Sequence, residues 1–390
     1  MSMVKVAFKE AGWIFFISRL VILVITFLGV SLLPMSGSNS SCLANPSNCI
    51  RAWMHFDVFS YIYIAMHGYD AERATVFFPL WPLLLHSLGF LAGGSDVNFY
   101  LIGMVLANLF FYLALVVLYL LTANLFEQGV AQKALLYLAF APYALFFFIG
   151  YTESLFLLLC LTTFLFLQRG LQYGVAINWW LAGLCGLLAS LTRSQGFLLT
   201  VPFILVFAQH YILAGKFTMA RWREKIIALL PIVLVPTGVV LYMCYLWYTK
   251  GNPMLFSVAE ARDWHRAFRL PWVGLHAAVR GLFIPGGLQL QNALNLGSFL
   301  VTLLILVSGW KRLPLYYTLF ALVLIIFPLC YPLGTADALA ALPRYMLIVF
   351  PIIIISASWK QQRVVALYLA FTITLFIFNC LLFSHHYWVA

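Results

Sequence analysis

An all-α, polytopic membrane protein is the fold class that the sequence predicts, and three observations predict it. Of the 390 residues, 64% are hydrophobic and 8% charged, which leaves too few charges to cover the surface of a soluble fold. Apolar runs long enough to cross a hydrocarbon core of about 30 Å recur along the chain between short polar connections. The net charge of +11 sits in those connections, where lysine and arginine set topology. That placement argues against the nucleic-acid binding such a charge would imply in a soluble protein.

In chain order, Lys5 and Lys9 precede a first run at about 11–33. It is longer than the apolar core of a signal peptide, so it reads as an uncleaved first helix. Further runs lie at about 97–124, 131–149, 152–168, 176–192, 196–214, 226–248, 291–310, 314–333, 344–359 and 364–384, giving about eleven helices. No repeat or linker marks a second domain, so residues 1–390 read as one integral membrane domain. With a cytoplasmic N-terminus, Lys133, Arg169, the Lys216/Arg221/Arg223/Lys225 group, Lys311/Arg312 and Lys360/Arg363 all fall on the cytoplasmic side. Arg51, Arg73, Arg193, Arg262, Arg266, Arg269, Arg280 and Arg344 fall on the other face, where topology does not call for them.

That outer face also receives the loops 35–96 and 249–290 and the segment from Gly334 to Tyr345. Within the first loop, WMHFDVFSYIYIAMHGYDAERATVFFPLWP places acids, histidines and tyrosines directly after an apolar span. Asp57, Tyr61, Ile64 and Gly68 share one helical face and Phe59, Ile62 and Met66 another, so a short surface helix ending at Gly68 is expected. Phe77-Phe78-Pro79 and Trp81-Pro82 suit a return to the membrane interface. Cys42 and Cys49 flank LANPSN and are expected to pair if the loop faces an oxidising compartment. The other five cysteines lie in apolar runs, and no cysteine spacing points to metal.

Asp57, beside His55 and among aromatic residues that suit a ring-shaped substrate, is a candidate general base. As the residue that opens a helix, it reads equally as an N-cap. His55 and His67 read as interface residues, since no third ligand converges with them. Glu153 starts a span, where the helix dipole favours an anion, while Tyr151 and Thr152 add hydroxyls that suit a sugar or a cation. Arg193 and Arg344 stand at span ends: they either snorkel to headgroups or form paired bonds to a phosphate. Arg262, Arg266 and Arg269, with Trp264 between them, recur at helical spacing, as on a helix lying on anionic lipid or covering a phosphate-bearing substrate.

HFDVFSYIYIAMHGYD followed by FFPLWPLL resembles the first outer loop of the PIG-V family of mannosyltransferases. Tyr151-Thr152-Glu153-Ser154-Leu155-Phe156 is similar to that family's Tyr-Ser/Thr-Glu-Ser/Ala-Leu-Phe element, and Arg193-Ser194-Gln195-Gly196 to its Arg-x-x-Gly element. Asn252-Pro253 with Phe256 and Trp264, and Pro343-Arg344-Tyr345, resemble its later motifs. Phe56 replaces the family's Trp before the acid, and Ser60 stands where His or Trp is expected.

The resemblance implies a GT-C glycosyltransferase bundle of the bacterial type, in the bacterial inner membrane or alternatively the endoplasmic reticulum, with its site on the non-cytoplasmic face. It implies a polyprenyl-phosphate sugar donor and a lipid- or glycan-linked acceptor. It also implies inverting displacement with Asp57 as base, Arg344 and Arg193 on the leaving phosphate, and no cofactor, with Glu153 plus a divalent metal as the alternative. Substrate contacts are expected from His55, Tyr61, His67, Tyr69, Phe78, Glu153, Arg193, Gln195, Trp264, Arg266, Arg344 and Tyr345. The chain carries no phosphate-binding glycine loop and no dinucleotide fingerprint, in keeping with a donor that arrives within the membrane. The rival from another class is a flippase or transporter of lipid-linked sugars, which would need no carboxylate base.

Overall fold

Residues 2–33, 42, 45, 47–173, 176–209 and 222–389 are described by a computed structural model. Lys216 and Arg221 of the predicted cytoplasmic group, and Leu43, Ala44 and Pro46 of the LANPSN loop, lie outside the described residues. In chain order the first helices are α1 (Met3–Leu32), α2 (Ser47–Arg51), α3 (Asp57–His67), α4 (Leu80–Leu91), α5 (Asp96–Ala123), α6 (Gln128–Ala139), α7 (Glu153–Tyr173) and α8 (Ala176–Thr192). They continue as α9 (Thr200–Phe207), α10 (Trp222–Lys250), α11 (Leu255–Asp263), α12 (Pro271–Gly281), α13 (Gly287–Ser308), α14 (Leu315–Leu329), α15 (Leu342–Leu347), α16 (Phe350–Ala357) and α17 (Gln362–Ser384). Turns of 3-10 helix occupy Glu72–Val76, Ala144–Phe147 and Ser194–Leu199.

Six helices among the described residues, α1, α5, α7, α10, α13 and α17, are long and apolar enough to cross a bilayer. Each corresponds to one of the runs read from the sequence. The runs at 176–192 and 314–333 form the shorter helices α8 and α14. Three runs are interrupted, each beside a proline, which lacks the N–H that helix propagation needs. The run at 131–149 stops at Ala139, ahead of Pro142, and resumes as a 3-10 turn. The run at 196–214 opens as 3-10 helix before α9, whose third residue is Pro202, and 344–359 divides at Ile348 and Val349, just ahead of Pro351 in the first turn of α16. Hydropathy registers the apolar length of these runs but not the breaks.

The helices gather into two compact units interleaved along the chain. One comprises Met1–Gly68, Pro82–Ser154 and Ser356–Ala390, the other Tyr69–Trp81 and Leu155–Ile355. In the first, α1 packs against α5, α6 and α17, and α3 packs on α5. The buried stripe of α1 is Ala7, Ala11, Ser18, Arg19, Ile22, Thr26 and Gly29. Its many small residues let neighbouring backbones approach closely, the main source of helix association where lipid removes the hydrophobic drive. In the second unit, α8 and α10 form the most extensive pair. A β-carbon at Gly183 would lie 2.8 Å from the Pro231 carbonyl oxygen, so that crossing requires glycine. Cys42 and Cys49 form a disulfide in the first unit, as expected from their spacing.

Candidate functional site

In the first unit, α3 starts at Asp57 after Phe56, which occupies the N-cap position at φ 56° and ψ −129° without a side-chain capping bond. The capping reading of Asp57 is thereby corrected: its carboxylate stands one residue inside the helix, in the first turn, where the dipole favours a negative charge. Among the described residues Phe56 is one of four non-glycine residues with positive φ, a backbone state that costs about 1–3 kcal/mol and persists only where surrounding packing enforces it. That packing is visible. The Phe56 ring meets Trp388 at 5.0 Å and Phe383 at 5.6 Å between centroids. Trp53 stacks on Phe383 at 5.6 Å and donates its Nε1–H to Thr26 Oγ1 of α1 at 3.1 Å.

The Asp57 N–H is one of the donors that a helix start leaves without an intrahelical partner, and it donates to Tyr151 Oη at 3.2 Å. One turn along, Tyr61 Oη lies 3.5 Å from Thr152 Oγ1, and the Tyr61 and Tyr151 rings meet edge to face at 6.1 Å. Tyr151, Thr152 and Glu153 are buried. Gly150 sets this turn closely against α5, since a β-carbon there would lie 3.4 Å from the Gly103 backbone. Two sequence motifs about ninety residues apart are therefore brought together. The buried face of α3 is Val58, Tyr61, Ile62, Ile64 and Ala65, with Phe59 exposed. Ile62 is buried together with Tyr61, while Phe59 on the same helical side is exposed.

His55 and His67 have different fates. His55 is buried, with its ring 4.3 Å from Phe383, 4.7 Å from Phe56 and 4.6 Å from His386. Burial first, and the His386 ring second, lower its pKa to about 3, partly opposed by the Phe383 backbone. The imidazole is therefore neutral near pH 7. His67 is exposed at the far end of α3, beside the Tyr63 carbonyl at 3.2 Å. Ten residues of helix, about 15 Å, separate it from Asp57, so these two site residues are not brought together.

In the second unit, Tyr69 and Phe78 are buried and act as fasteners. Tyr69 Oη donates to the Phe77 carbonyl at 2.6 Å, and its ring lies 5.7 Å from Tyr242. Phe78 packs at 5.0 Å on Tyr242, whose hydroxyl donates to the Thr75 carbonyl at 2.7 Å. The basic group of the 249–290 connection is also engaged. Arg262 pairs with Glu72 at 2.8 Å and with Asp263 at 2.9 Å. The hydrogen bond from Arg262 holds the Asp263 carboxylate below its usual range. Trp264 remains part-exposed, edge to face with Phe77 at 5.8 Å. Arg266 donates to the Ala340 carbonyl at 2.6 Å and the Tyr331 carbonyl at 3.3 Å, and Glu260 lies at 3.9 Å. The predicted helical row of Arg262, Arg266 and Arg269 is corrected: α11 ends at Asp263, which leaves Arg266 and Arg269 outside it.

Arg193 stands in extended conformation between α8 and the 3-10 turn that follows, with Nε donating to Gln195 Oε1 at 3.1 Å. Its guanidinium lies 5.5 Å from the centre of the Tyr345 ring and 6.0 Å from that of Phe156. The first of these contacts joins the Arg-Ser-Gln-Gly element to the late Arg-Tyr pair. Gly196 makes this possible, because a β-carbon there would collide with the backbone of Ala189 and Ser190. Arg344 is buried on α15, one residue before Tyr345.

One buried cation escaped the sequence reading. Arg19 sits within α1, 7% exposed, its guanidinium 4.4 Å from the Phe111 ring centre, 5.2 Å from Phe15 and 5.9 Å from Phe148. Its three nitrogens have no hydrogen-bond partner among the described residues. A lone arginine in an apolar run was the available signal, since ionisable groups inside spans are rare.

This helical architecture is that of the GT-C membrane glycosyltransferases. The structure resembles that of ArnT from Cupriavidus metallidurans, solved bound to undecaprenyl phosphate, with a TM-score of 0.51 at 15% identity over 92% of this chain and 62% of that one. An oligosaccharyltransferase from Archaeoglobus fulgidus matches with a TM-score of 0.47 at 15% identity, over 95% of this chain and 55% of that one. A family profile described as Mannosyltransferase (PIG-V) matches residues 14–264, and the chain belongs to that family. It is 26% identical over 256 residues to GPI mannosyltransferase 2 of Schizosaccharomyces pombe, covering 60% of this chain and 52% of the relative. The chain thus spans about half the length of that curated relative.

Proposed function

We propose that this integral membrane protein transfers a mannosyl residue from a polyprenyl-phosphate donor to a lipid- or glycan-linked acceptor, with Asp57 as the general base. The acceptor hydroxyl attacks the anomeric carbon and gives its proton to the Asp57 carboxylate. The bond from that carbon to the phosphate oxygen breaks with inversion, and polyprenyl phosphate leaves with the electron pair. The observation that carries this reading is the docking of the Asp57 segment on the Tyr151–Glu153 turn, with the Asp57 N–H donating to Tyr151 Oη. It fixes a carboxylate at a helix start beside the buried hydroxyls of Tyr61, Tyr151 and Thr152. Membership of the PIG-V family supports the sugar, and the undecaprenyl phosphate bound to ArnT supports the donor class. Arg193, stacked on Tyr345, and Arg344 are assigned to phosphate, since guanidinium groups can form paired bonds to its oxygens. The lysine distribution supports a site on the non-cytoplasmic face, of a bacterial inner membrane or alternatively of the endoplasmic reticulum.

Asp57→Asn tests the proposal. The amide preserves shape but accepts no proton, so transfer from polyprenyl-phosphate mannose should fall by about two orders of magnitude or more while donor binding persists. Near-normal transfer in this variant would reject Asp57 as the base. A protein that moves lipid-linked sugar across the bilayer without forming a glycosidic product would reject transfer altogether. The mechanism assigns no step to a metal, and the same assay run with a chelator separates it from a Glu153–cation arrangement.

A further inference from the structure

The helix α12 presents its bulk on the side opposite to its packing contacts. Gly274, Ala278 and Gly281 are its buried residues, and it packs on α13 and α14. A β-carbon at Gly274 would lie 3.0 Å from both Leu339 and Pro332, and one at Gly281 would collide with Asn292. Small residues thus bring the helix close to its neighbours. On the outward side of the helix Trp272 and Val279 are 62% and 45% exposed, and Phe283, just past its end, is 82% exposed. A water-soluble surface helix is built the other way, with large apolar residues inward. At eleven residues, or about 16 Å, α12 is too short to span. It lies in the connection between α10 and α13, two helices long and apolar enough to cross the bilayer, and Leu290 and Leu304 of α13 are also exposed.

Arg269 and Arg280 are exposed beside this face, and in the sequence no aspartate or glutamate occurs from Trp264 to Ala336. We propose that α12 is embedded in the leaflet surface and that its partner is anionic glycerophospholipid. Trp272, Val279 and Phe283 enter the boundary between headgroups and acyl chains, and Arg269 and Arg280 engage the headgroup phosphates. Each cation held at an anionic surface favours it roughly fivefold. This inference does not depend on the transfer reaction.

The test uses the full chain reconstituted in phosphatidylcholine vesicles, with a fluorescent unnatural side chain replacing Phe283, or replacing Leu304 as a reference within a span. Doxyl-labelled phosphatidylglycerol and doxyl-labelled phosphatidylcholine are compared as quenchers at equal bilayer fraction. Both should quench the probe at position 283, the anionic lipid roughly fivefold or more effectively. Arg269→Gln combined with Arg280→Gln should abolish the preference while leaving quenching itself intact. A probe at 283 that escapes both lipids while the one at 304 is quenched would overturn the proposal, whether the helix then stands in water or under a protein partner. Equal quenching by the two lipids would overturn the anionic preference.

Discussion

Tyr151→Phe removes one oxygen atom and tests whether the Tyr151 turn positions Asp57. The phenylalanine ring keeps the edge-to-face contacts with Tyr61 at 6.1 Å and Phe146 at 5.3 Å, so packing is retained. What is lost is the acceptor for the Asp57 N–H. A buried donor left without a partner costs about 1–3 kcal/mol. The first N–H of a helix is partly reachable by water, which places the effect near the lower end, at about 1–1.5 kcal/mol. If the bond serves to hold Asp57 in register, that energy is lost from the reacting complex, and transfer should slow roughly five- to tenfold. The assay is initial-rate transfer from polyprenyl-phosphate mannose by purified protein. The change should fall in kcat, with KM for the donor and the thermal midpoint close to those of the parent. Unchanged transfer by a well-folded Tyr151→Phe protein would refute the positioning argument. A large loss of thermal stability would show instead that the hydroxyl serves the fold.

Three other outcomes are expected. Replacing Cys42 and Cys49 together by serine opens a cross-link with a sequence separation of 7, and on the chain-entropy estimate should destabilise the protein by about 2 kcal/mol; thermal unfolding checks the cost, and two free thiols by intact mass would reject the bond. His55 has a folded pKa of about 3 against 6.5 for the ordinary side chain, so below pH 6.5 the unfolded chain binds the extra proton and stability should decline towards pH 3, by at most a few kcal/mol. His55→Phe should flatten that decline in unfolding measured across the interval, and an unchanged slope would exclude His55 as its source. Arg19→Met removes a buried guanidinium whose nitrogens have no hydrogen-bond partner among the described residues; loss of cation–π contact is offset by relief of desolvation, so the thermal midpoint should hold or rise, and a marked fall would show the charge to be structural.

The sequence by itself determined the solvent in which the chain folds. Lipid requires continuous backbone hydrogen bonding, so apolar runs become helices, and the six long ones correspond to runs read from hydropathy alone. It also determined the end of α3 at Gly68, which takes φ 76°, and the Cys42–Cys49 pair, because both are local matters of a few residues. Motif order was enough to indicate the family. Only the tertiary structure decided what each polar side chain does. Arg193 and Arg266 look alike in sequence, yet one stacks on Tyr345 and the other holds two backbone carbonyls. Tyr69 and Phe78 pack on Tyr242, a partner more than 160 residues away that no local pattern indicates. The division into two units was also hidden, because they are interleaved and no change of composition separates them. Hydropathy and spacing report each residue's preference for lipid or water and its neighbours along the chain. The partner that satisfies a buried hydroxyl or guanidinium comes from segments far away in sequence, and only the packed structure brings them together.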